Sequence, residues 1–167
     1  MIDTLAAAVV DQINAASATW APLTFTAVFN DAPKFTTAEL SELTVVVVPN
    51  NVTIAPLRLK GAGQPILNRM RNVAHYAPTV CVFIAQKGPA SVASGTDPLV
   101  AWSAARRLLA EKMGKFFDHR DNRIPAGYTA ARLQATEFNP LYDLDELSNN
   151  RSFLSMIRLT YSEHVRG

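Results

Sequence analysis

The 167-residue sequence contains one cysteine and no long apolar run. A lone cysteine cannot form an internal disulfide or a multi-cysteine metal site, and the apolar neighbours of Cys81 indicate a core residue. The longest strongly apolar run, Leu43 to Pro49, is far shorter than the roughly 20 residues that a membrane-spanning helix needs. A secretory signal has basic residues before its apolar part, and none precedes the first apolar residues here. We therefore expect a soluble protein that folds in a cytoplasm.

The sequence also lacks the motifs of the common enzyme classes. It has no Gly-x-Ser-x-Gly motif, no Walker lysine and no pair of histidines at metal-ligand spacing. The segment Asp118-His119-Arg120-Asp121 could ligate a divalent metal only if other ligands, such as His75 or His164, converged on it. We interpret it as a polar loop after a helix. The sequence thus predicts no enzyme, no catalytic residue and no cofactor or metal ion.

Acidic residues are absent between Glu42 and Asp97, although the net charge of the whole chain is only +2. This acid-free stretch contains five basic residues, and residues 1–42 contain five acidic residues against Lys34 alone. The basic residues are Arg58, Lys60, Arg69, Arg71 and Lys87. Such segregation indicates faces of opposite sign, as in subunits of a polar assembly or a protein with an anionic partner. Alternatively, these side chains are ordinary solvated strand positions.

Hydrophobic residues make up 49% of the chain and charged residues 18%, which is typical of one globular domain over 1–167. Apolar residues spaced three and four apart predict helices over 2–17 and 98–117. The apolar face of the second helix would be Leu99, Trp102, Leu109, Met113 and Phe116, with Arg106, Lys112 and Lys115 facing water. A buried stripe on each helix would cover a sheet, and we expect Trp102, Leu109 and Val46 in the core.

Alternating or β-branched segments predict the strands. The run 43–48 is apolar on both faces, which is typical of a central strand, and Pro49-Asn50-Asn51 should end it. Residues 66–87 should contain one or two strands around Pro78. The first of these could instead be a short helix. Asp143 and Glu146 have the spacing of a capping box for a short helix. The other predicted strands cover 23–29, 52–60, 128–137 and 153–161, with 52–60 at an edge because of Pro56. The predicted fold class is α/β (α+β): a mainly antiparallel sheet flanked by an N-terminal helix and one long helix.

Three segments of the sequence resemble a family of tailed-bacteriophage proteins, the tail terminators and neck (head–tail joining) proteins. They are residues 39–49, the strand 80–87 with the helix after it, and a C-terminal motif. That motif is Pro140-Leu141-Tyr142-Asp143 to Leu147, followed by Phe153-Leu154-Ser155-Met156-Ile157-Arg158-Leu159-Thr160-Tyr161. The resemblance covers most of the chain at the level of element order, and its motifs mark structural positions and not catalytic ones.

The resemblance implies a structural virion protein that caps the tail tube as a ring, six-fold in this family, and joins it to the head-side connector. Its partners would be other copies of itself, the tail tube protein and the connector, with no membrane contact. It would be assembled in the host cytoplasm and located at the top of the tail. Other stations in the tail or neck, such as a completion protein or tube subunit, are compatible with the same fold. A small metal-dependent hydrolase and a monomeric binding module with a deep apolar pocket are the alternatives from other classes.

A protruding β-hairpin arm is expected at about residues 52–75. If the segments on either side of Gly61 to Pro65 pair, Arg58, Lys60, Arg69 and Arg71 form one basic patch. In a ring at the head–tail junction this patch could line the DNA channel, where contacts would be with phosphates and independent of base sequence. It could instead contact a neighbouring subunit or remain solvated.

Overall fold

The computed structural model describes residues 2–30, 39–56 and 73–166. These residues contain three α-helices and five β-strands. The helices are α1 (Ile2–Ala15), α2 (Leu99–Asp118) and α3 (Leu144–Asn150); the strands are β1 (Ala27–Phe29), β2 (Thr44–Pro56), β3 (Val73–Lys87), β4 (Ala131–Phe138) and β5 (Ser152–Arg166). The sheet order is β1-β2-β3-β5-β4, with every neighbouring pair antiparallel except β1 and β2. The predicted mixed fold with a mainly antiparallel sheet is confirmed.

Helix α1 follows the spacing of its apolar residues, because Leu5, Val9 and Ile13 are fully buried. It ends two residues before the predicted boundary, where a 3-10 turn, Ser17–Trp20, begins. The indole Nε1 of Trp20 donates a hydrogen bond of 2.9 Å to the carbonyl oxygen of Ile13. The same carbonyl accepts a bond of 3.2 Å from the backbone N–H of Ala16, so the last turn of α1 is tied to the 3-10 turn that follows it.

Helix α2 confirms the predicted helix at 98–117, but its buried face is rotated from the expected one. Leu109, Met113 and Phe117 are buried, whereas Phe116 and Trp102 are only half-buried and pack against the core. The expected core position of Trp102 is therefore wrong, while those of Leu109 and Val46 are confirmed. Phe116 packs edge-on against Trp20, with the ring centroids 5.2 Å apart, so both long helices contribute to one core.

Strand β2 contains the predicted central segment, since Val45, Val46, Val47 and Val48 are all buried. Pro49-Asn50-Asn51 does not end the strand, contrary to prediction. The register shifts between Pro49 and Asn51 and the pairing with β3 continues to Pro56. A proline is tolerated at such a bulge because no ladder donor is needed there. β1 pairs only with Val45 to Val47, so the rest of the described strand lies beyond β1, in agreement with its predicted edge position.

The strand β3 runs through Pro78 without interruption and excludes two separate strands within 73–87. Its register with β5 is continuous from Lys87 to Thr79 and resumes at Tyr76, so the proline coincides with a gap in that ladder. β5 carries its predicted apolar face, with Phe153, Ile157, Leu159 and Tyr161 buried. The strand predicted at 23–29 is shorter: Leu23 and Phe25 pack against the core, but pairing begins only at Ala27.

Candidate assembly surfaces

The four predicted site residues, Arg58, Lys60, Arg69 and Arg71, lie outside the described residues. The strands on either side of them are paired up to Pro56 and Ala74, so the described chain reaches the start of the predicted arm. Lys87, the fifth basic residue of the acid-free stretch, is exposed at the end of β3. The basic patch remains a prediction from the sequence.

Metal-ligating residues do not converge in the described part of the chain. His119 lies in the exposed loop after α2, with its Nδ1 3.8 Å from the carboxylate of Asp121. His75 and His164 are register partners on β3 and β5. No three His, Cys, Asp or Glu side chains among the described residues are grouped so as to hold a metal ion. Cys81 is buried, as predicted, and its burial raises the pKa of the thiol.

The C-terminal motif forms a compact unit around β5. The carboxylate of Asp143 accepts hydrogen bonds from the amides of Asp145 and Glu146, at 2.9 and 3.0 Å, and so caps α3. The carboxylate of Glu146 accepts from Asn150 instead, so the reciprocal half of the predicted capping box is absent from the hydrogen bonds of the described residues. The amide of Asp143 donates to the carbonyl of Leu154 at 2.9 Å, which ties the start of α3 to β5.

Arg151 joins the end of α3 to the start of α2. Its two Nη atoms donate to the two carboxylate oxygens of Asp97 at 2.8 and 2.7 Å, and its Nε donates to the carbonyl of Pro89 at 2.9 Å. Asp97 also accepts from the amide of Leu99 at 3.0 Å. These bonds, with that from Arg151 the strongest, lower the pKa of Asp97 to about 2. Sequence patterns gave no signal for Arg151.

Exposed apolar side chains are concentrated on the elements that Arg151 joins. Among the described large apolar residues, the four most exposed are Val100 (71%), Leu144 (61%), Val92 (53%) and Leu108 (52%). They lie on α2, on α3 and in the loop before α2, and we name them the α2–α3 apolar surface. Large exposed apolar side chains are candidates for contact with another chain. This surface was not predicted, because the sequence indicated only polar residues on the outer side of α2.

The outer edges of the sheet are partly closed by the protein itself. The side-chain amide of Asn14 accepts from the backbone N–H of Ala27 at 2.8 Å and donates to its carbonyl at 3.0 Å, so it covers the outer edge of β1. At the opposite edge, the amide of Leu133 in β4 donates to the carbonyl of Arg123 at 2.7 Å. Capped edges resist pairing with another chain. At these two positions, contacts between subunits would therefore be made by side chains and not by backbone strand pairing.

A groove of about 960 Å³ opens where β1 and β2 begin. It is lined by Pro22, Leu23, Thr24, Phe25, Thr26, Val28, Asn30, Ser41, Glu42, Leu43, Thr44, Val46, Gln86 and Arg106. The groove is broad and mixed in polarity, unlike the deep apolar pocket that a small-molecule binding module would need.

Arg106 was predicted to face water, but it lies in the groove wall. Its side chain is half-buried, with Cζ 4.4 Å from the centroid of the Trp102 ring.

No protein-family model matches the chain, and no curated protein matches it significantly. No helix within the described ranges has the length and apolar character needed to span a membrane.

Proposed function

We propose that the protein is a non-enzymatic structural subunit of a tailed-phage virion. In this proposal six copies form a ring that closes the tail tube and joins it to the head-side connector. The observation that carries it is the C-terminal motif of residues 140–161. Its sequence resembles that of the tail-terminator and neck family, and its residues form one unit consisting of a capped helix and a strand inside the sheet. The mixed α/β fold is also the one that the resemblance implies.

The α2–α3 apolar surface is the contact that we assign to the neighbouring copy. A closed ring needs two different faces of the same subunit to meet, and a stable contact needs apolar side chains to bury. Val100 and Leu108 are two turns apart on α2, and Leu144 begins α3. The guanidinium of Arg107 lies 5.3 Å from the Tyr142 ring and so connects the middle of α2 with the segment before α3. Acidic residues in the first turn of α3, Asp145 and Glu146, would give such a contact a charged rim.

Replacing Val100 and Leu108 together by Glu tests this assignment. Because both side chains are exposed, the double variant should fold with little change in stability, but two charges would prevent burial in a subunit contact. We expect the ring to dissociate to monomers in light scattering while the circular dichroism spectrum stays unchanged. Ile124→Glu is the matched control, since Ile124 is 46% exposed and lies outside this surface.

An oligomer of unchanged mass in the double variant would remove the α2–α3 apolar surface from the interface. Loss of the oligomer in Ile124→Glu as well would show that any added surface charge disrupts assembly, and the result would then say nothing specific about α2.

A further inference from the structure

The backbone that precedes β1 lines the groove. Pairing of β1 with β2 starts at Ala27 and Val45, and the segment before Ala27 lines the groove together with Ser41 to Thr44. Neither Thr24 nor Phe25 forms a backbone hydrogen bond with any described residue. An extended chain laid beside this segment would meet the N–H and C=O groups of Thr24 and Phe25, which have no backbone partner among the described residues.

Arg106 supplies a fixed positive charge at the same groove. Its Nε donates to Oε1 of Gln86 at 3.0 Å and its Nη1 to the carbonyl of Trp102 at 3.1 Å. A guanidinium has five N–H donors, so three remain for a ligand. No Asp or Glu in the described part of the chain lies within ion-pair distance of Arg106. Partial burial therefore acts on this cation without a counter-charge and lowers its pKa, although an arginine stays protonated.

We propose that this groove binds an extended segment of a partner protein through an Asp or Glu side chain. The carboxylate would accept two hydrogen bonds from the free N–H groups of Arg106, and the segment's backbone would run along Thr24 and Phe25. This site is independent of the ring contact proposed above, because none of its residues belongs to the α2–α3 apolar surface.

A protein segment fits the groove better than nucleic acid does. Among the described residues of the lining, Arg106 is the only basic one, and Glu42 is exposed at the rim, where it would repel a second phosphate. Leu23, Phe25 and Leu43 are half-buried in the lining and offer apolar contact to side chains that flank a carboxylate. Specific recognition of one carboxylate beside apolar side chains is characteristic of peptide binding.

The test uses two capped pentapeptides, acetyl-Val-Thr-Asp-Val-Thr-amide and the same peptide with Asn in place of Asp, and amide NMR of the full-length protein. We expect the Asp peptide to shift the signals of Thr24, Phe25 and the Arg106 Nε–H. A charge-assisted hydrogen bond contributes more than a neutral one, so the Asn peptide should bind about tenfold more weakly. Arg106→Gln should reduce binding of the Asp peptide to the level of the Asn peptide. Arg132→Gln, which changes an exposed arginine on β4, should leave it unchanged.

Three results would overturn the proposal: equal binding of the two peptides, shifts confined to other surfaces, or displacement of the Asp peptide by a short DNA duplex. If Arg106→Gln altered the mass of the protein's own oligomer, the occupant would be a second copy and the assignment to a different partner would be wrong. Arg106→Lys keeps the charge without the planar fork, so it should bind the Asp peptide with intermediate strength even if the Gln variant folds poorly. Measuring oligomer mass in each variant separates failure of this site from failure of the ring.

Discussion

Arg151 combines an unusual backbone conformation with the best-defined ion pair among the described residues. Its φ of 50° lies in the left-handed region, where glycine or asparagine usually ends a helix. Its amide donates to the carbonyl of Glu146, as expected for a helix cap, while its side chain reaches Asp97, 54 residues away in sequence. A glycine would adopt the backbone conformation more easily but would lose that long-range link. This requirement explains the presence of a long basic side chain at a position that favours glycine.

The Asp97–Arg151 pair should make stability depend on pH in a defined direction. The folded-state pKa of Asp97, about 2, is below the ordinary value near 3.9, so its contribution is complete above about pH 4 and is lost as the pH falls towards 2. Asp97→Asn should therefore melt below the parent at pH 6, and the two melting temperatures should converge as the pH approaches 2.

Asp118→Asn provides the control for that series. Asp118 pairs with Arg123 at 2.9 Å on the surface, and exposed pairs of this kind contribute little. Its melting curve should follow the parent over the whole range. A difference between Asp97→Asn and the parent that stayed constant from pH 6 to pH 2 would show that the carboxylate charge is not what stabilises this turn.

At the level of elements, two neighbouring leucines on α2 test which face of this helix is buried against the sheet. Leu109 is 2% exposed and Leu108 is 52% exposed. Leu109→Ala should lower the free energy of unfolding by roughly 2 to 5 kcal/mol, the usual range for a buried leucine, whereas Leu108→Ala should change it by less than about 0.5 kcal/mol in the monomer. Urea denaturation at low protein concentration measures both. Equal effects of the two substitutions would mean that the helix is rotated from the orientation described.

Hydrophobic periodicity correctly identified the elements whose buried face is determined by the residue pattern of that element alone. Val45 to Val48 and the alternating face of β5 are buried as their patterns predict, and α1 follows its apolar stripe. The errors arose where a neighbouring strand decides the outcome. Pro49 ends a strand in isolation, but here β3 continues to pair beyond the bulge. Helical spacing predicts that Arg106 faces water, yet its guanidinium lies over the Trp102 ring.

At the level of the whole molecule, the sequence predicted the layer arrangement but not the surfaces that tertiary contacts create. Arg151 joins the end of α3 to a segment 54 residues away in sequence, just before α2, and no local pattern contains that information. The groove likewise lies where β1 and β2 begin, so its lining depends on two segments that are separated in sequence and placed side by side. The uneven charge distribution, by contrast, was visible in the sequence.

The most direct test of the central claim is the mass of the native assembly. Multi-angle light scattering of the purified protein, alone and after addition of tail tubes, should give a closed species of six times the 18.2 kDa chain mass, and images of virions should place that ring at the top of the tail. A ring that forms only on the tube would also agree with the proposal, since assembly can require the partner. A protein that remained monomeric both in solution and in purified virions would contradict it.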